Sequence, residues 1–369
     1  MTRQKILFTI DSLFVLGTPA HQLMLLASGL IEQGFEVHVV SLSDPNTIRH
    51  AMPASVTVHF VGRAEKRDYL RSVRLRSLVK QIKPDIFHAW GIDAHRTSFI
   101  ATMGLDRFAK VCTYLEFPPA RQLILGRWLH ESLTNEDVTS VVAHEAIADA
   151  LVADAFDCEF VVIGNAVENF SKNNDSTIRT QIKKHLEIPD DTFIAMSIAK
   201  FQPRTRLKDL IWAADLLYCI RDDVHLILVG YGAQEKRLKK FLWQTEAGPN
   251  VHFLDPRDPS LSFLTADFIG AADVYWNSHL GHANSSPMLM AMGQGVPVIS
   301  VLGPGTENLI LHQQSAMAVN FGARDEFARW TKYVIEQKNS AEQMAAQGRQ
   351  FVERFTPETM IEKYLNCYG

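Results

Sequence analysis

Cysteine is scarce in this 369-residue chain, which has four in all. Cys112, Cys158, Cys219 and Cys367 are too far apart for any Cys-x-x-Cys pair. That favours buried free thiols in a reducing cytosol over disulfides or a zinc site. No apolar run approaches the ~18 residues of a membrane-spanning helix. The apolar run at the N-terminus is short and flows into a polar loop, so it reads as a first strand and not as a signal peptide. A large excess of either charge is missing too. The net charge is −4, which argues against nucleic acid as a partner, because such a protein carries a strongly basic footprint. Asp-x-Asp is absent, no His/Cys cluster has metal-ligand spacing, and there is no tandem repeat or low-complexity tract.

What is present is a chain with 47% apolar residues and a length that suggests two domains. An apolar strand over 5–10 is followed by a loop with Gly17, Thr18 and Pro19. A helical pattern over 21–31 is closed by Gly34, and a strand over 36–42 completes a βαβ unit. Strand patterns recur at 56–60, 85–89, 111–114, 138–143 and 160–163. A polar stretch at 171–176 reads as a linker. Alternation restarts at Thr192, with strands at 193–199, 225–229, 251–254 and 273–276 and helices between them. The expectation is two doubly wound, parallel α/β halves.

The stretch that organises the second half runs from Trp276 to Glu307. A polar loop over 277–287 opens a short apolar helix over 288–292, which Gly293 and Gly295 end. Residues 297–300 read as a buried strand, and Gly303-Pro304-Gly305 as a second tight loop. A loop that opens a helix presents free backbone N–H groups and the positive end of a helix dipole, a setting that suits phosphate.

Several segments, in order, resemble the retaining glycosyltransferases of family 4, whose fold is GT-B. PDIFHAW (84–90) resembles the family's PDVVHAH strand, and VVIGNAVE (161–168) its hinge. AKFQPRTRLKDLIWAA (199–214) resembles "GRLvpeKGxdxLlxA", and LILVGYGAQEKRLKKF resembles "lvGdGpxxxxLxxl". NVHFLDP resembles "nVxFlG", AADVYWNSHLGHANSSPMLMAMGQGVPVIS the family's paired-glutamate segment, and GPGTENLI its "gGxxElI". The resemblance implies two Rossmann-like doubly wound parallel-sheet domains facing a cleft. Residues 1–168 would form the acceptor domain and 169–355 the nucleotide-sugar domain. Residues 356–369 would form a helix crossing back to the first domain.

The resemblance also implies a retaining transfer from a nucleotide-diphosphate sugar to a glycan, lipid or small-molecule acceptor. It implies no cofactor and no metal, since cations and helix ends neutralise the phosphate charge. By position, Lys200 takes the place of the motif's diphosphate-gripping Arg and Thr205 that of its Lys, with Arg204 and Arg206 beside it. The two motif glutamates become His282 and Met290, and methionine cannot accept ribose hydroxyl donors as a carboxylate does. The catalytic set is therefore His282, Lys200 and Arg206. The donor-binding set is Gly17, Arg204, Ser285, Ser286, Met290 and Glu307. His88 and Glu116 would lie on the acceptor side. Each has a plainer reading: solvated charge for the cations, a helix cap for the serines, core packing for Met290 and His88. The replaced glutamates leave an alternative, a non-catalytic GT-B binding or scaffold protein of glycan assembly. A basic amphipathic helix over 70–82 (Arg71, Arg74, Arg76, Lys80, with Lys83 after it) suits contact with an anionic inner-membrane face, against the plainer reading of a solvated face.

Overall fold

The computed structural model describes residues 3–13, 18–43, 52–62, 70–105, 107–115, 138–153, 159–168, 176–258, 260–261, 263–279, 285–303 and 306–369. They form two compact units. The first runs to Ala166 and takes in Pro357–Gly369; the second covers Val167–Thr356 and also claims Thr18.

The first unit is built on β1 (Lys5–Ile10), β2 (Glu36–Ser41), β3 (Thr57–Phe60), β4 (Ile86–Trp90), β5 (Ala109–Tyr114), β6 (Val138–Val142) and β7 (Phe160–Val162). They pair in parallel in the order β3-β2-β1-β4-β5-β6-β7. Strands β1 and β4 are buried almost throughout, as a sheet covered by helices on both faces demands. Helix α1 (Thr18–Glu32) lays Leu23, Leu26, Ala27 and Leu30 into the core. It begins three residues before the sequence pattern, because Pro19 is tolerated in a first helical turn. Helices α2 (Arg71–Ile82), α3 (Ile92–Thr102) and α4 (Glu145–Ala153) complete the covering.

Two of the cations expected to face a membrane from α2 are internal fasteners instead. Arg74 Nε donates to the Val61 carbonyl at 2.6 Å, and Arg76 Nη1 donates to the carbonyls of Ala101 and Met103 at 2.9 and 2.8 Å. No helix among the described residues is long and apolar enough to cross a membrane.

The second unit holds β8 (Phe193–Ile198), β9 (Val224–Val229), β10 (Val251–Leu254), β11 (Val274–Asn277), β12 (Val298–Val301) and β13 (Met317–Val319). All run parallel, in the order β10-β9-β8-β11-β12-β13. Strand order reverses between β8 and β11, so the switch point lies there. Its helices are α5 (Ser176–Leu186), α6 (Leu207–Tyr218), α7 (Glu235–Leu242), α8 (Thr265–Gly270), α9 (Ser285–Gly293), α10 (Arg324–Glu336) and α11 (Lys338–Val352).

The last helix, α12 (Pro357–Tyr368), packs within the first unit, where Met360, Tyr364 and Tyr368 join the core. Gly29 of α1 makes room for it, since a Cβ there would stand 2.1 Å from Ile361 Cδ1. The Val167 N–H donates to the Phe355 carbonyl at 2.8 Å.

Candidate active site

Three neighbouring strands of the second sheet end in the loops that the sequence singled out. Strand β8 runs into Ala199, Lys200 and Phe201. Lys200 is exposed and has no hydrogen bond or ion pair among the described residues. Its loop is clamped from beside by Gly230-Tyr231-Gly232 at the end of β9. Phe201 N–H donates to the Tyr231 carbonyl at 2.9 Å, and Gln234 N–H to the Phe201 carbonyl at 3.0 Å. Only glycine permits this approach. A Cβ on Gly230 (φ 152°) would lie 1.9 Å from the Ala199 carbonyl oxygen, and one on Gly232 (φ 157°) 2.4 Å from that of Phe201.

Strand β11 ends at Asn277, whose Nδ2 donates to Ser300 Oγ at 2.9 Å, tying the ends of β11 and β12 together. Ser278 Oγ then donates to the Thr205 carbonyl at 2.6 Å. Helix α9 starts at Ser285, earlier than the apolar pattern, and every one of its residues is buried. A helix apolar nearly all round has no solvent face. Gly295 (φ 70°) closes it, with Gly295 N–H to Met292 O and Val296 N–H to Ala291 O at 2.9 Å each. After β12, Thr306 Oγ1 accepts the Gly303 N–H at 2.9 Å, and the next residue, Glu307, is exposed.

Lys200, Ser285, Ser286 and Glu307 therefore follow the carboxyl ends of β8, β11 and β12, adjacent strands at the switch point. This is where an open α/β sheet binds ligands. The serines are buried, and Ser286 N–H donates to Thr18 Oγ1 at 3.2 Å, with Thr18 grouped in this unit.

Other expected residues serve elsewhere. Arg206 turns onto Asp209, with Nε 2.6 Å from Oδ2, and its guanidinium lies 4.2 Å from the Phe321 ring centroid. Its backbone is left-handed (φ 51°), at the place where the resembled motif carries glycine. Thr205, at the motif's lysine position, is buried, and its Oγ1 donates to the Gln202 carbonyl at 2.7 Å. Arg204 is exposed and engaged. Met290 is 3% exposed, a core residue in α9.

His88 is corrected from the acceptor side to the core. Its Nδ1 is 2.9 Å from Tyr368 Oη and its Nε2 2.8 Å from Thr113 Oγ1, so both ring nitrogens are taken. Burial drives its pKa down to about 3. Gly17, Glu116 and His282 lie outside the described residues. The sequence reading missed Asp209, which receives both Arg206 and Arg324. An acidic residue in a helix's first turn gives no sign of which distant cation will meet it.

The chain matches two family models, Glycosyltransferase Family 4 over residues 20–168 and Glycosyl transferases group 1 over residues 178–351. The lipopolysaccharide core biosynthesis glycosyltransferase LpsE of Rhizobium meliloti (strain 1021) is 25% identical over 181 residues. That match spans 49% of this chain and only about half of LpsE, 51%. LpsD of the same organism is 21% identical over 301 residues, 81% of this chain and 79% of LpsD. Among solved structures, Anabaena Alr3699/HepE in complex with UDP-glucose superposes with TM-score 0.79 at 17% identity, covering 99% of each chain. WaaG, a glycosyltransferase involved in lipopolysaccharide biosynthesis, superposes with TM-score 0.75 at 14% identity, over 98% of this chain and 99% of that one. The sheet orders, the loops at the switch point and the two family matches agree: the chain is a glycosyltransferase of the GT-B fold, a Family 4 half followed by a group 1 half.

Proposed function

We propose that the protein is a retaining transferase that takes a sugar from a UDP-sugar and passes it to a glycan of the lipopolysaccharide-core type. The observation that carries this is Lys200, an exposed ammonium without a protein partner among the described residues, standing at the switch point beside the Gly230-Tyr231-Gly232 turn. A cation there meets the diphosphate of the donor, and charge-assisted bonds to phosphate are the strong kind. As the sugar–oxygen bond breaks, negative charge grows on the leaving phosphate, and Lys200 stabilises it most at that point. The acceptor hydroxyl attacks the same face of the sugar, its proton passing to the departing phosphate oxygen. His282 stands in sequence where the family motif has its first glutamate. The UDP-glucose complex of HepE supports the donor class, and LpsE and LpsD support the acceptor class.

The test is UDP release from UDP-glucose and related donors in the presence of lipopolysaccharide-core acceptors, with the product anomer read by NMR. Lys200→Ala should lower kcat/KM by roughly a hundredfold, as loss of a charged transition-state contact does, without changing the melting temperature. An inverted anomer overturns the retaining assignment. Because the sequence has no Asp-x-Asp, turnover should persist in excess EDTA; activity that EDTA abolishes and magnesium or manganese restores refutes metal independence.

A second reading, a non-catalytic GT-B binding protein, is favoured by one set of positions. Thr205 is buried, Arg206 is drawn onto Asp209, and Met290 is in the core. A thermal-shift panel of UDP, GDP, ADP and their sugars separates the two. A ligand that binds the native state raises its melting temperature, so no shift with any nucleotide selects the non-catalytic reading.

A further inference from the structure

Beside the loop that carries Lys200, the second unit has a cavity of about 450 Å³. Its walls come from the turn at Gln202–Arg206, the first turns of α6, the side of α7 and the start of α10. Four cations line it, Arg206, Lys208, Arg237 and Arg324, against a single carboxylate, Asp209. That carboxylate is shared: Arg206 Nε reaches Oδ2 at 2.6 Å and Arg324 Nε reaches Oδ1 at 2.9 Å. It cannot neutralise two guanidiniums and two further cations. Arg237 has no ion-pair or hydrogen-bond partner among the described residues.

Aromatic rings hold the remaining groups in place. Lys208 Nζ sits 4.8 Å from the Phe241 ring centroid and Arg324 Cζ 5.0 Å from that of Trp212, while the two rings stack on each other at 6.1 Å and 20°. Cations fixed in this way lose little side-chain freedom when an anion arrives, so binding is preorganised. The lining is not cationic alone. The carboxamides of Gln202 and Gln234 offer both donors and acceptors, as hydroxyl groups require.

The geometry points to a second binding site here, for a sugar that carries a phosphate group. The cations take the phosphate, the carboxamides take ring hydroxyls, and the exposed part of Trp212, which is 42% exposed, covers an apolar edge of the sugar ring. The volume lies within the usual range for small-molecule sites, about 300–1,000 Å³, and is larger than a bare phosphate needs. Gln202 lies two positions after Lys200, so the occupied cavity braces the loop that presents Lys200.

The probes are glucose 6-phosphate, glucose, inorganic phosphate and vesicles of anionic phospholipid, measured by calorimetry or flotation on the full chain with UDP present in excess. Glucose 6-phosphate should bind, and glucose and inorganic phosphate should each bind at least tenfold more weakly. Lys208→Ala with Arg237→Ala, both exposed side chains, should weaken glucose 6-phosphate at least tenfold, since a bond to a charged group is worth that much. Lys200→Ala should leave this affinity unchanged. No binding of glucose 6-phosphate, equal binding of inorganic phosphate, or an affinity indifferent to the double substitution overturns the assignment. Loss of vesicle binding in the double variant, with no sugar phosphate bound by the parent, assigns the cavity to a lipid surface instead.

Discussion

Gly230 and Met290 show how much a single position decides in the second unit. A methyl group on Gly230 would collide with the Ala199 carbonyl oxygen, a backbone atom that cannot rotate away. Gly230→Ala should therefore cost about 3 kcal/mol or more, from overpacking added to a strained φ, and urea unfolding will read it. Nucleotide affinity should fall with it, since the same turn clamps the loop of Lys200. At Met290 the motif's carboxylate is absent and the side chain is sealed in α9. Restoring the carboxylate by Met290→Glu places it among apolar neighbours, where burial raises a carboxyl pKa above its usual value. A raised native pKa means least harm below the unfolded value, about 4.3, and growing harm as pH rises through the native one. The expected loss is about 3 kcal/mol or more at pH 7.5, and the gap to the parent protein should narrow toward pH 4.5. A variant as stable as its parent at pH 7.5, with tighter nucleotide binding, would show that the carboxylate reaches polar space.

At the scale of elements, buried and half-buried histidines tie strands and helices together and make the fold acid-sensitive. His88 joins β4 to α12 and β5, and Thr113 Oγ1 lies a further 3.3 Å from Tyr364 Oη. In the second unit, His225 on β9 and His252 on β10 stack at 5.1 Å and 8°, with Nδ1 and Nε2 2.9 Å apart. Burial lowers the pKa of both, with Lys183 adding to the effect on His225 and the His225 ring to that on His252, which falls to about 4. These groups are neutral in the native state and bind protons more readily when unfolded. Their contribution is whole above the unfolded value, about 6.5, and is lost as pH falls toward about 4 for His252 and about 3 for His88. Melting temperature should therefore fall steadily between pH 7 and pH 4. His252→Gln should flatten that slope. Tyr368→Phe leaves His88 Nδ1 without its partner and should cost about 1–3 kcal/mol at pH 7.

For the whole molecule, the last helix decides whether the first unit has a complete core. Met360, Tyr364 and Tyr368 are 4%, 1% and 7% exposed, and burying side chains of this size is worth about 1.5–3 kcal/mol each. Deleting residues 357–369 should therefore lower the first unit's stability by about 5 kcal/mol or more. Calorimetry should resolve an early transition for that unit and a later one for the second. A single unshifted transition would show that the helix contributes nothing to the core.

The alternation of strands and helices, the parallel sheets and the loops after β8, β11 and β12 were all legible in the sequence. Apolar periodicity, glycine and proline act over a few residues, and local sterics translate them directly into local structure. Lys200 and Glu307 could be named because each falls on a position of the resembled family's motifs, and Ser285 because it opens a helix. The start of α9 was less legible, since a polar first turn such as Ser285-Ser286-Pro287 resembles a loop until a core seals it. What only the tertiary structure decided is which long polar side chain meets which partner. Arg206 lies on Asp209 and Phe321, and His88 closes a network with α12. Those choices rest on groups distant in sequence, and on burial that leaves a hydrogen-bonding group no solvent to fall back on.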